Sequence, residues 1–104
     1  MPDQLLDTLE PGGRDTARAM VRMLRGYGIQ TEVISGRRSV ETNRRAGGAK
    51  SSRHLTGQAF DLQLGGIPVR DVNPAFWAAL GDAWEKAGGR WGGRFNDPNH
   101  FDWG

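Results

Sequence analysis

The stretch Ser52-Arg53-His54-Leu55-Thr56-Gly57-Gln58-Ala59-Phe60-Asp61 decides how the rest of the chain is read. From Gln58 to Leu64 the residues alternate in character. Successive side chains of a strand point to opposite faces, so Ala59, Asp61 and Gln63 share one face and Phe60, Leu62 and Leu64 the other. A carboxylate thus stands on the back of a strand whose front is apolar. His54 lies seven residues before Asp61, and Gly57 between them lets the backbone turn tightly. The second histidine, His100, lies near the C-terminus in Asp97-Pro98-Asn99-His100-Phe101-Asp102-Trp103.

Two imidazoles and a carboxylate suit a divalent metal. Imidazole nitrogen and carboxylate oxygen both favour zinc, and the chain has no cysteine to supply a thiolate. Three protein ligands leave a fourth position open, as a hydrolytic ion requires. His54, Asp61 and His100 are therefore the expected ligands of one Zn2+. The plainer alternative is a loop histidine and a surface ion pair. It loses ground because both histidines fall in short motifs with an acidic neighbour.

Asp97, three residues before His100 and stiffened by Pro98, is the candidate general base. Asp102 is its rival. It lies two residues after His100 and hence on the same strand face, where it can instead hold a ligand imidazole by its free N–H. The reading adopted is Asp97 as base and Asp102 as support. Arg38 is the candidate electrophilic helper, for a substrate carboxylate or an oxyanion, with Arg37 beside it as the competing choice. Ser52 is a candidate hydrogen-bonding residue for substrate or ligand, although a loop serine is commonly a turn residue. Trp91 is a candidate wall of the cleft.

The 104 residues suit a single domain over 1–104. Four Trp and four Phe compensate for modest aliphatic content, because each aromatic buries a large area. The net charge of +2 favours anionic surroundings only weakly. No uninterrupted basic run or aromatic platform marks a nucleic-acid module, and no apolar run is long enough to span a membrane. The first seven residues lack a basic leader and a long apolar run, so the expected product stays in the cytoplasm until something else releases it.

The apolar spacing of Ala17, Met20, Val21 and Leu24 predicts a helix over about Arg14 to Arg25, stopped by Gly26 and Gly28. Ile29 to Ser35 reads as a strand, Val40 to Arg45 as a short helix and Ala46 to Arg53 as a loop. Gly65-Gly66 turns into a short returning strand over Ile67 to Val69. Asn73 caps a helix with Pro74 at its first position, buried through Phe76, Trp77, Leu80, Trp84 and Ala87 and ended by Gly88-Gly89. Trp91 to Phe95 reads as a glycine-rich loop and Asn99 to Trp103 as a final strand. Too few crossover helices remain for a parallel sheet. The expected class is α+β, a small antiparallel sheet with helices on one face and the metal site on the other.

The pattern Ser52-x-His54-x-x-Gly57-x-Ala59-x-Asp61 resembles the signature of the zinc peptidases that comprise D-alanyl-D-alanine carboxypeptidases and L-alanyl-D-glutamate endopeptidases, whose fold is shared with the hedgehog signalling domain. Asp97 to Asp102 resembles that family's second signature, and Gly36-Arg37-Arg38-Ser39 with Glu41 and Asn43 its arginine segment. Trp91-Gly92-Gly93 is similar to a loop of the endopeptidase branch. The resemblance implies zinc on His54, Asp61 and His100, Asp97 as base and Arg38 as substrate stabiliser. Asp97 stands where many relatives carry glutamate, which brings the chain nearer to phage lysis endopeptidases.

The implied activity is hydrolysis of the L-alanyl-D-glutamate bond in peptidoglycan stem peptides, by a monomer acting on the cell wall after release. The alternatives are a D-alanyl-D-alanine carboxypeptidase or dipeptidase, and a zinc-bearing binding module without turnover.

Overall fold

A computed structural model describes residues 4–49 and 52–104. Four strands form one antiparallel sheet in the order β1-β2-β4-β3, with β1 at Thr31–Ser35, β2 at Ala59–Leu64, β3 at Arg90–Trp91 and β4 at His100–Asp102. Four α-helices accompany it: α1 at Gln4–Asp7, α2 at Pro11–Gly26, α3 at Val40–Arg45 and α4 at Pro74–Lys86. The class is α+β, as the sequence implies.

The period-two pattern of β2 divides the molecule. Phe60, Leu62 and Leu64 point into a core closed by Ala17, Met20, Val21 and Leu24 of α2 and by Trp77, Leu80 and Trp84 of α4. Each leucine, valine, methionine or phenylalanine among them contributes about 1.5–3 kcal/mol when fully buried. Phe101 of β4 stacks on Phe60 at 5.4 Å, and Trp84 meets both rings edge-on. The other face of the same strands carries Asp61 and His100, paired across β2 and β4, with Ala59 opposite Asp102 beside them. Helix packing on one face thus leaves the polar residues of the central strands on the other.

Several boundaries differ from the sequence reading. Helix α2 begins at Pro11, because proline is tolerated in a helix's first turn, where its missing N–H costs nothing. The single-turn α1 is too short to leave a periodic signature, yet it buries Leu6. Ile67 makes only an isolated bridge to Leu64, and Val69–Asp71 winds into a 3-10 turn instead of a strand. Ala87 is exposed at the end of α4, and Gly81 takes its expected place in the buried stripe because the Trp91 indole lies against it. Arg90–Trp91 is a short edge strand and Gly92–Phe95 a 3-10 turn, where a loop was expected. The predicted Ala46–Arg53 loop lies partly outside the described residues.

Candidate metal centre

Three segments converge on Asp61. The first is the end of β1 and the turn after it. Ser35 sits opposite Asp61 across a bulge, and Gly36 to Arg38 then wraps against His54. The Arg38 amide donates to the His54 carbonyl at 2.8 Å, and the Gly36 carbonyl accepts from His54 Nδ1 at 2.8 Å. The second is a 3-10 turn at Arg53–Thr56, which starts on the last residue of the predicted Ala46–Arg53 loop. Ser52 caps it by accepting from the His54 amide, and Gly57 ends it at φ 72°, a left-handed conformation that favours glycine. A Cβ at Gly57 would also meet the Arg37 side chain at 2.8 Å and the Thr8 carbonyl at 3.0 Å. The third is β4, which sets His100 directly across from Asp61.

His54 Nε2 lies 3.3 Å from Asp61 Oδ2, and His100 Nδ1 lies 3.0 Å from Asp61 Oδ1. The three donor atoms all fall within 4.8 Å of one another. Zinc binds such atoms at about 2.0–2.2 Å, and a tetrahedral shell of that radius spaces them by about 3.3–3.6 Å. The donor set suits a divalent ion in number and chemistry, and its atoms are gathered closely enough for one ion to lie among them. The outer nitrogens fix the tautomers. His54 Nδ1 donates to a carbonyl and His100 Nε2 to a carboxylate, so in the neutral rings that a metal requires the lone pairs fall on His54 Nε2 and His100 Nδ1, on the side of Asp61.

Electrostatics reinforce the cluster. Burial alone would raise Asp61, but hydrogen bonds from His100 and His54 outweigh it and hold the carboxyl at about 2. Burial would likewise lower His100, yet Asp102 and Asp61 carry it up to about 9 when no ion is bound. Asp97 lies with Oδ2 at 3.9 Å from His100 Nδ1 and is raised, first by burial and then by the charge of Asp61.

Arg38, Ser52, Asp97 and Asp102 line one cleft of about 470 Å³ together with the three candidate ligands. Arg38 is held by three partners: Nε donates to Ser35 Oγ, Nη1 to Asn43 Oδ1 and Nη2 to Asp61 Oδ2. Trp91 does not line this cleft, contrary to the sequence reading. Its indole packs against Gly81 and Gly93, and Nε1 donates to the Pro98 carbonyl at 2.8 Å, which fastens the segment carrying Asp97. The sequence assigns no role to Arg53 or Arg90, and it marks Asn43 only as part of the arginine segment. Arg53 and Arg90 both grip Asp102, and Asn43 ties Arg38 to the Ala49 carbonyl.

An α+β scaffold with two imidazoles, a carboxylate and an acidic neighbour around one cleft is the framework of a small metallopeptidase. The family model described as Peptidase M15 matches residues 7–85, well over half the chain, and the chain belongs to that family. The match includes His54 and Asp61 and stops short of Asp97 and His100, which rest on the geometry above. None of the curated proteins matches the chain.

Proposed function

We propose that this chain is a zinc-dependent peptidoglycan hydrolase that cuts the L-alanyl-D-glutamate bond of cell-wall stem peptides. The observation that carries the reading is the convergence of His54, Asp61 and His100, with Asp97 at 3.9 Å from His100 and Arg38 bonded to Asp61. His54 Nε2, Asp61 and His100 Nδ1 would hold the ion. Bound there, zinc supplies Lewis acidity that lowers the pKa of a coordinated water to about 7.

The chain's own groups do the rest. Asp97 takes the proton of the attacking water and passes it to the leaving amine, and its raised affinity for protons suits that exchange. Arg38, immobilised by Ser35, Asn43 and Asp61, turns its remaining N–H groups to the developing oxyanion. Asp102 keeps the His100 ring in the ligating tautomer. Ser52 acts first on the protein, capping the turn that presents His54.

The protein would work as a monomer on the wall after release from the cytoplasm. Mass spectrometry of fragments from purified peptidoglycan, with zinc and after chelation, tests the assignment. New N-terminal D-glutamyl fragments that appear only with zinc are expected. Release of free D-alanine instead would move the reading to a D-alanyl-D-alanine carboxypeptidase. That second reading is favoured by the arginines that line the cleft, since a guanidinium can hold a terminal carboxylate.

A further inference from the structure

Asp102 is the anchor of a cationic pair that the proposed mechanism leaves without a task. Its carboxylate is buried, with a side chain only 1 % exposed, and both oxygens are doubly used. Oδ1 accepts from Arg53 Nη1 at 3.2 Å and Arg90 Nε at 2.9 Å. Oδ2 accepts from Arg90 Nη2 at 2.8 Å and His100 Nε2 at 2.7 Å. Two guanidinium groups thus share one negative charge, and the surplus positive charge lies where the side chains reach solvent. Arg53 is 33 % and Arg90 52 % exposed, and both line the cleft that holds the candidate ligands.

The two arginines are held differently. Arg90 grips Asp102 through a two-pronged fork, and its guanidinium sits over the Phe95 ring at 5.0 Å, so it is held at one edge and on one face. Arg53 touches Asp102 through Nη1 alone, so most of its five N–H donors are not spent on that carboxylate. Its backbone is nonetheless rigid. The Arg53 carbonyl accepts from the Gln58 amide at 2.8 Å, and His54 follows it directly in the same 3-10 turn. Arg38, by contrast, is already tied to three partners.

Charge across the cleft agrees. Among the described residues the lining carries Arg38, Arg53 and Arg90 against Asp61, Asp97 and Asp102, so the side chains cancel and a bound divalent ion makes the cleft cationic.

We propose that Arg53, backed by Arg90 through Asp102, forms a carboxylate-binding subsite beside the metal centre and selects substrates with a free carboxylate close to the scissile bond. The inference rests on the peptidase reading and names what the cleft recognises. A stem peptide joined through the γ-carboxyl of its D-glutamate leaves that residue's α-carboxylate free, a partner for a guanidinium that lines the same cleft as the candidate ligands. A site built to hydrogen-bond such a group discriminates against the amide, which removes one charge-assisted partner and presents a donor to a donor.

The test compares three synthetic stem tetrapeptides: the free acid, the same peptide amidated at the glutamyl α-carboxyl, and the same peptide amidated at its C-terminus. Calorimetric binding is measured on zinc-loaded protein carrying Asp97→Asn to suppress cleavage, with Arg53 intact and with Arg53→Gln or Arg53→Lys. With Arg53 intact, amidation of the glutamyl carboxyl weakens binding by about tenfold or more. Arg53→Gln brings the acid-to-amide ratio towards one, and Arg53→Lys retains part of it. The three peptides binding alike, or not at all, overturns the subsite. So does a ratio that survives Arg53→Gln. Should that variant misfold, Arg53→Lys decides, and an acid-to-amide ratio unchanged from that with Arg53 intact overturns the subsite. Sensitivity to the C-terminal amide alone keeps the subsite but moves the reaction to a carboxypeptidase. Cleavage of the free acid by protein with Asp97 is scored separately, so failure of the endopeptidase reading is distinct from failure of the subsite.

Discussion

Asp102 accepts a 2.7 Å hydrogen bond from Nε2 of His100, and the same buried carboxylate is clamped by the fork of Arg90. An ionised acceptor at this position commits the imidazole to one tautomer, with Nδ1 free for a metal. Burial would raise Asp102, but His100 and then Arg90 hold it at about 2, so the acceptor is charged at any working pH. Asp102→Asn keeps the shape and removes the charge. The expected loss is about 10–100-fold in zinc affinity, read by competition with a chromophoric chelator. Unchanged affinity would mean that His100 needs no such support.

Metal and proton compete for His100. In the metal-free protein its pKa is raised to about 9 from 6.5, so at pH 7 the ring is protonated. Zinc needs the Nδ1 lone pair, so uptake at pH 7 expels about one proton from this site. Calorimetry in two buffers of different ionisation enthalpy measures that number, and a value near zero would contradict it. The stability of the metal-free fold follows with a definite sign. The His100 contribution is complete below 6.5 and is lost as pH rises through about 9. Those of Asp61 and Asp102 are present above 3.8 and lost as pH falls through about 2. Denaturant midpoints of chelated protein should therefore fall off at both ends of that range.

The parts of the fold that the sequence discloses are those with a period. The alternation through β2 placed Asp61 opposite the face of Phe60 and Leu62, and the spacing of Ala17, Met20, Val21 and Leu24 marked the buried stripe of α2. The turn at Arg53–Thr56 has no comparable signature, since a single 3-10 turn repeats nothing. Trp91 was misplaced for another reason. Its indole can face either side of a two-residue strand, and Gly81 and Gly93 decide by leaving room for it. The clamp on Asp102 joins Arg53 and Arg90, 49 and 12 residues away in sequence, and no local pattern links them.

Asp97 is expected to matter for turnover and not for metal binding. Its carboxylate is 53 % exposed and lies beyond direct contact with His100 Nδ1. Asp97→Ala should retain one zinc per chain while hydrolysis falls by about 10²–10⁴-fold, the usual contribution of a general base. Zinc content by atomic emission and fragment release from purified wall, measured on the same preparation, check both halves. Equal hydrolysis by variant and wild type would transfer the base to another residue. No hydrolysis by either, with both zinc-loaded, would point to a binding module.

Aspartate is one methylene shorter than glutamate, so the backbone bearing Asp97 must lie close to the metal centre, and Gly92 is the residue that permits it. The Asp97 amide donates to the Gly92 carbonyl at 2.9 Å. A Cβ on Gly92 would lie 2.2 Å from the Asp97 carbonyl oxygen and 2.7 Å from His100 Cβ. Neither neighbour is the free end of a flexible side chain, so Gly92→Ala must push the Asp97–His100 segment outward. A displacement of about 1 Å at a catalytic group costs about 10²-fold in rate. Gly26→Ala is the contrast, since nothing lies within 4 Å of its added Cβ at the end of α2. It should leave hydrolysis intact and change stability by less than about 1 kcal/mol, in the stabilising direction. Thermal melts and hydrolysis rates of the two variants side by side separate the effect of a methyl group from the effect of its position. Full activity in Gly92→Ala would show that the base does not depend on this close approach.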